Sequence, residues 1–198
     1  MLTVAGAGPG NPKYLTVEVL DRIKNAKSVL VFGRIGNSIS SLRKDCIIVN
    51  KVDEIIEYTK ENEDVLLLAS GDPNFYGIVD YLKRNGVYIE EVLPGLSSFQ
   101  YLMAKLKKPW QDAGFLSLHG RGGNLNEIKD NKLTIMLIDK EKNASYISRE
   151  LFGIGIRGYM YIGYNLSYED EKIVKIKIGE VPEDYSSLGV VVIENEMD

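Results

Sequence analysis

Residues 65–77 read Val-Leu-Leu-Leu-Ala-Ser-Gly-Asp-Pro-Asn-Phe-Tyr-Gly. The unbroken apolar run Val65–Ala69 fits a strand buried on both faces, as in a parallel sheet. Ser70-Gly71-Asp72-Pro73 then forces the chain out of that sheet, because Gly and Asp supply turn chemistry and proline cannot donate to a ladder. Phe75, Ile78, Val79 and Leu82 follow at helical spacing, and Gly86 closes that helix. Strand, turn and helix in this order make a parallel α/β unit. Its turn leaves the carboxyl end of a strand, which is where open α/β sheets place ligands.

The same grammar extends in both directions. Upstream, Leu2–Ala5 is a short β-prone run ended by Gly6-Ala7-Gly8-Pro9-Gly10, and Leu15, Val19, Leu20, Ile23 and Ala26 recur at helical spacing. Ser28–Phe32 and Cys46–Val49 read as further strands, with a helix through Ile55, Ile56 and Tyr58. Downstream, Val87–Val92 reads as a strand, and Pro94-Gly95 introduces Ser97 or Ser98 as the N-cap of a helix carrying Phe99, Leu102, Met103 and Leu106. The polar stretch Lys107–Asp112 suits a linker, which places the domains at 1–110 and 111–198. Beyond it, Phe115–Leu118, Leu133–Ile138, Gly158–Ile162, Ile173–Ile178 and Leu188–Ile193 are strand-like, and Asn143 caps a helix. Period-two alternation there, with Lys175 and Lys177 toward solvent, predicts a mixed sheet. The fold expected is two α/β domains, the first with a mainly parallel sheet, with flanking helices and a cleft between them.

Composition narrows the function classes. The 198 residues carry 44% apolar and 26% charged side chains, a folded rather than disordered composition. A formal charge of -4 gives no global reason to expect nucleic acid or an anionic membrane as partner. One cysteine, Cys46, and one histidine, His119, exclude an internal disulfide and a clustered thiolate or imidazole metal site. No apolar run approaches the roughly 18 residues of a membrane span, and Met1 leads into Leu2-Thr3-Val4 rather than into a secretion signal. The reading is a cytoplasmic, reducing compartment.

Three loops carry the chemistry. Gly6-Ala7-Gly8-Pro9-Gly10 resembles a dinucleotide turn, yet Asn11 stands where a third glycine belongs and no acidic residue ends the second strand to hold a ribose. No Gly-Lys-Ser/Thr follows, so it is not a P-loop. A plain tight turn remains open. Asp72, in the second loop, suits either a ligand hydroxyl or amine or a helix cap. Leu93-Pro94-Gly95-Leu96-Ser97-Ser98 offers two hydroxyls and free helix amides, which capping alone also explains.

Taken in order, GAGPGN, SGDPNFYG and LPGLSS, followed by a second α/β half, resemble the tetrapyrrole methyltransferases, two-domain enzymes that use S-adenosylmethionine (SAM). The resemblance spans essentially the whole chain. His119-Gly120-Arg121-Gly122-Gly123, then Asn165-Leu166-Ser167-Tyr168 with Glu171, resemble the branch that methylates C5 of cobalt-precorrin-7 to give cobalt-precorrin-8 in the anaerobic cobalamin pathway. Gly163-Tyr164 departs from that branch's usual upstream residues. The resemblance implies a C-methyltransferase and a homodimer, and a separate C15-methylating decarboxylase as functional partner, since 198 residues leave no room for a fused one. It also implies SAM binding by Gly8, Pro9, Gly71, Asp72, Pro73, Tyr76, Ser97, Ser98 and, toward the adenine, Asn165. No protein-bound metal is implied, cobalt belonging to the substrate.

Methyl transfer from a sulfonium needs collinear placement and exclusion of water more than a catalytic triad. His119, the one side chain that titrates near neutrality, is the candidate for proton handling, with a hydrogen-bonded structural role as the alternative. A polycarboxylate macrocycle on an acidic protein calls for focused cations, so Arg34 and Arg121 are the substrate-binding candidates, Arg121 also counting as catalytic, with Arg43 and Lys13 behind them. Tyr14, Tyr76 and Tyr101 are candidates to cover the ring. Three other readings stay open: methylation of another precorrin position or of uroporphyrinogen, methylation of RNA, and a non-catalytic nucleotide-binding module.

Overall fold

Val65–Ala69 forms a fully buried strand, β4, and its neighbours follow from the same apolar arithmetic. The computed structural model describes residues 1–118, 124–187 and 189–196, and for Arg34 the backbone alone. By its contacts the chain divides into two compact units, Met1–Ser98 and Phe99–Asp198.

The first unit holds β1 (Leu2–Gly6), β2 (Ser28–Phe32), β3 (Ile47–Val49), β4 and β5 (Glu91–Leu93), in the order β3-β2-β4-β1-β5, with every pairing parallel. Alternate residues of the central strands feed two cores. Leu2, Val4, Val65 and Leu67 pack with α3 (Val52–Glu61) and α4 (Ile78–Arg84), while Ala5, Leu66 and Leu68 pack with α1 (Val17–Asn25) and α2 (Gly36–Ile39). A sheet covered on both faces explains why its strands read as continuous apolar runs.

Local chemistry sets the ends of these helices. Thr16 caps α1 by accepting from the Val19 amide at 3.2 Å. The strand expected over Val87–Val92 is corrected: only Glu91–Leu93 pairs. Gly86 adopts φ +73 and the Val87 amide returns to the Leu82 carbonyl at 3.0 Å, so Val87 closes the end of α4 and cannot join the ladder.

The second unit begins within α5 (Ser98–Leu106) and carries β6 (Gly114–Ser117), β7 (Leu133–Ile138), β8 (Gly158–Tyr164), β9 (Lys172–Lys177) and β10 (Gly189–Asn195), with α6 (Ala144–Gly153) between β7 and β8. The sheet order is β6-β7-β10-β8-β9, parallel only between β6 and β7. One core joins α6 to Met136, Met160, Ile162, Tyr164, Val191 and Ile193. Asn143 caps α6, its side-chain oxygen accepting from the Tyr146 amide at 2.8 Å. The polar segment 107–112 follows α5 inside this unit, where Phe99 meets Trp110 and Phe115 edge-on at centroid distances of 5.2 and 5.1 Å. Lys175 and Lys177 are exposed on the edge strand β9, and charge there discourages pairing with a second chain.

Candidate functional site

β1, β4 and β5 are adjacent parallel strands that end at one level: Gly6 pairs with Ala69, and Ala5 with Leu93. The three loops therefore leave one edge side by side. Connections depart from β1 and β4 in opposite directions across the sheet, the topological condition for a ligand crevice in open α/β folds.

Backbone groups tie the loops together. The Gly71 amide donates to the Gly8 carbonyl at 2.8 Å, and the Ala7 amide to the Ala69 carbonyl at 2.8 Å. A Cβ on Gly6 would sit 2.5 Å from the Gly95 nitrogen and 2.6 Å from the Gly71 oxygen, and one on Gly95 would sit 2.3 Å from the same oxygen. Glycine is required where three main chains cross this closely. Gly71 differs: its φ is +66, and a Cβ there would meet nothing nearer than the Ser97 Cα at 3.9 Å. Crowding therefore does not require glycine at position 71; its left-handed backbone does.

Asp72 is committed within this rim. Its Oδ1 accepts from the Asn74 amide at 2.8 Å and its Oδ2 from the Gly95 amide at 3.2 Å, so the carboxylate holds the second loop to the third. Pro73 is buried and Tyr76 stands at the rim with φ +49, a left-handed conformation that is uncommon for an aromatic residue. Its ring meets Phe75 edge-on at 4.8 Å. Gly8 and Pro9 are buried, and Asn11 accepts from the Lys13 amide at 3.1 Å to start a short 3-10 turn over Pro12–Tyr14. That accounts for asparagine where a dinucleotide turn has its third glycine. Ser97 is buried at 3% exposure, and Ser98 opens α5.

In the second unit, Asn165 follows β8 with φ +45, and Ser167 has φ +71. The Asn165 amide nitrogen donates to Asp170 at 2.6 Å and its oxygen accepts from the Ser186 hydroxyl at 2.8 Å. Gly163, where the sequence departs from the expected motif, lies under the side-chain ends of Leu102 and Leu166, which would have to shift to admit a Cβ. Tyr164 beside it is fully buried. Burial, and then the neighbouring Asp184 carboxylate, push its hydroxyl well above the ordinary phenol range.

The basic candidates separate. Arg43 is not at a ligand surface: Nη1 donates to the Ile23 and Ala26 carbonyls at 2.8 and 2.6 Å, closing the C-terminus of α1, while Nε and Nη2 grip Asp45 at 2.8 and 2.9 Å. The Asp45 hydrogen bond raises the guanidinium's pKa further. Lys13 lies over the Tyr14 ring at 5.0 Å. Tyr101 is buried at 6% exposure, which removes it from the group that could cover a macrocycle. Arg34 lies in the short turn Gly33–Ile35 after β2. His119 and Arg121 lie outside the described residues. Among the described residues no group of three or more His, Cys, Asp or Glu side chains is placed to hold a metal, and no helix is long and apolar enough to cross a membrane.

A doubly covered parallel sheet with three glycine-rich loops at its carboxyl edge, joined to a mixed-sheet unit, has clear counterparts. The sequence profile of the tetrapyrrole (corrin/porphyrin) methylases matches residues 1–182. The chain belongs to this family. It is 31% identical to the probable cobalt-precorrin-7 C(5)-methyltransferase of Methanocaldococcus jannaschii, over 99% of both chains. It is 30% identical to the cobalt-precorrin-7 C(5)-methyltransferase of Salmonella typhimurium, over 98% of this chain and 99% of that one. Among solved structures, the uroporphyrin-III C-methyltransferase of Thermus thermophilus complexed with S-adenosylhomocysteine superposes with a TM-score of 0.78 at 24% identity, covering 98% of this chain and 97% of that one. The likeness in fold extends over essentially the whole methylase.

Gly6 and Gly95 are the residues sequence reasoning passed over. Each stands in a loop already singled out, but what requires glycine there is the crossing of three strands' ends, which no local pattern encodes.

Proposed function

We propose that this methylase transfers the methyl group of SAM to C5 of cobalt-precorrin-7. The observation that carries the reading is end-to-end similarity to relatives bearing that activity in their names, at matching length. What supports a cofactor at the rim of the first unit is the uncrowded backbone at Gly71, where φ is +66 and a Cβ would make only an ordinary contact with the Ser97 Cα at 3.9 Å. SAM, when bound, supplies an already activated sulfonium methyl.

The chain's own residues then have positional work. Gly71 gives close approach, Gly8 and Pro9 shape the first loop, and Asp72 and Pro73 fix the second. Ser97 and Ser98, at the start of α5, place hydroxyls where a ligand carboxylate can be met. Tyr76 borders the methionine and ribose part, and the Asn165 turn contributes toward the adenine. Arg34 and Arg121 receive substrate carboxylates, and His119 manages the proton lost from the methylated carbon. The protein works as a cytoplasmic homodimer beside a separate C15-methylating decarboxylase, with no metal of its own.

The test is calorimetric titration with SAM and S-adenosylhomocysteine, followed by mass spectrometry of cobalt-precorrin-7 incubated with enzyme and SAM. Gain of one methyl group at C5 is the expected result. Methylation of uroporphyrinogen III or cobalt-precorrin-4 in preference would overturn the substrate, and failure to bind either cofactor form would overturn the reaction class.

A further inference from the structure

Among the described residues Tyr76 alone carries an aromatic side chain on a left-handed backbone, at φ +49. A residue with a Cβ is strained there, and such a conformation persists only where its surroundings hold it. The turn supplies that hold. The Phe75 amide donates to the Asp72 carbonyl at 3.2 Å, the Val79 amide to the Pro73 carbonyl at 3.3 Å, and a Cβ on Gly77 would run into the same Pro73 carbonyl. The chain thus folds back on Asp72 and Pro73, and the Tyr76 ring, 36% exposed and edge-on to Phe75, stays with the turn that carries Gly71. Burial in a core does not account for an exposed ring on a strained backbone.

Charge narrows what such a ring can do. The methyl donor carries a positive sulfonium, and a cation at the rim needs a group that attracts it. The three loops, residues 7–16, 70–77 and 94–97, contain a single carboxylate, Asp72. Its two oxygens accept from the Asn74 and Gly95 amides. In the first loop the Lys13 ammonium lies over the Tyr14 ring at 5.0 Å, so that ring already has a cation. Phe75 is half-buried. The exposed group of these loops with an affinity for positive charge is the Tyr76 ring, whose face carries the negative part of its quadrupole.

We infer that the Tyr76 ring meets the sulfonium of SAM and thereby distinguishes the charged cofactor from its neutral product. The inference rests on the reading that SAM is held at the rim of the first unit. S-adenosylhomocysteine has the same adenosine and amino-acid parts and lacks only the methyl group and the charge. Tyr76 loses its attraction once the methyl group has gone to the macrocycle, because the sulfur keeps both electrons of the broken bond and becomes neutral. The ring thus favours the donor over the spent cofactor at one and the same site.

The experiment measures the Kd of SAM and of S-adenosylhomocysteine by calorimetry for wild type, Tyr76→Phe, Tyr76→Leu and Tyr76→Asn, with thermal melting as the check on folding. The readout is the ratio of the two Kd values, which needs no turnover. Tyr76→Leu keeps apolar bulk without the ring, so the Kd of SAM should rise about fivefold, the scale of a cation over an aromatic ring at a partly exposed site, while that of S-adenosylhomocysteine changes by less than about twofold. Tyr76→Phe keeps the ring and should keep the ratio. Tyr76→Asn suits a left-handed backbone, so it should fold even if leucine does not, and it should shift the ratio in the same direction. A wild-type ratio in the folded leucine and asparagine variants, whether the two Kd values move together or not at all, would overturn the inference. Loss of the ratio in Tyr76→Phe would also overturn it, assigning the discrimination to the hydroxyl. Wild-type protein that binds neither form would overturn the reading of the rim as a cofactor site, and the inference with it.

Discussion

Asp72 and Gly95, 23 positions apart, are joined by a hydrogen bond from the Gly95 amide to the Asp72 carboxylate at 3.2 Å. Through it the loop after β4 fixes the loop after β5. The other oxygen accepts from the Asn74 amide, so the carboxylate shapes the rim, and its role in the proposed cofactor site follows from that.

Asp72→Asn discriminates this role from a direct ligand contact. An amide can accept through only one of its two ends, so it cannot satisfy both backbone donors. The variant should lose about 1–3 kcal/mol of stability, the cost of an unsatisfied donor, and cofactor affinity should fall with it. Thermal melting and calorimetry read the two effects. Weaker binding at an unchanged melting temperature would assign Asp72 to the ligand instead.

The glycines of the rim should divide by where their missing side chains point. Gly6→Ala and Gly95→Ala place a methyl 2.5 and 2.3 Å from main-chain atoms that cannot swing aside. Both should destabilise by about 3 kcal/mol or more, and soluble yield is the first readout. Gly71→Ala pays mainly for its φ of +66, about 1–2 kcal/mol, and should fold. Its methyl enters the space assigned to the cofactor, so binding of S-adenosylhomocysteine should be lost. Tight binding by folded Gly71→Ala would refute that assignment.

These contrasts mark what the sequence could and could not convey. Val65–Ala69, Leu133–Ile138 and the Asn143 cap were legible because apolar runs and capping chemistry are local. Val87 looked like a strand residue because its β-branched side chain does, whereas the fold spends its amide on the end of α4. The positions of the three loops followed from strand-turn-helix order, but the need for glycine at 6 and 95, and the reach of Asp72 to Gly95, depend on pairing between strands far apart in sequence. Arg43 stood among the candidates for substrate carboxylates for the same reason. Its carbonyl partners, Ile23 and Ala26, become visible only once α1 is in place.

Arg43→Ala should therefore affect folding and leave ligand binding alone. Removing the guanidinium orphans two carbonyls at the end of α1, which costs about 1–3 kcal/mol by chemical denaturation. Cofactor Kd should stay unchanged. The Arg43 hydrogen bond holds the Asp45 carboxyl below its usual value, so the pair's contribution is present above the unfolded pKa and is lost as pH falls through the folded one. The difference between wild type and variant should accordingly be constant from neutral pH down to about 5 and shrink only below about 4. A difference that grows on acidification would contradict this.

Charge and titration single out Arg121 and His119, which stand in a glycine-rich stretch. A protein of formal charge -4 cannot hold a polycarboxylate macrocycle unless donors are focused where it docks, and a guanidinium presents five of them in a rigid fork. Arg121→Ala should weaken apparent substrate affinity by about 1.5–3 kcal/mol, the range for a hydrogen bond to a charged group, and spare SAM. His119→Asn keeps hydrogen-bonding capacity but cannot titrate near neutral pH. A large fall in kcat with both ligands still bound would place the proton on His119, and an intact rate would make that residue structural. Methyl transfer from labelled SAM to cobalt-precorrin-7, measured beside direct SAM titration, separates these outcomes. Loss of SAM binding in Arg121→Ala, with macrocycle affinity retained, would mean that the two ligands have been assigned to the wrong residues.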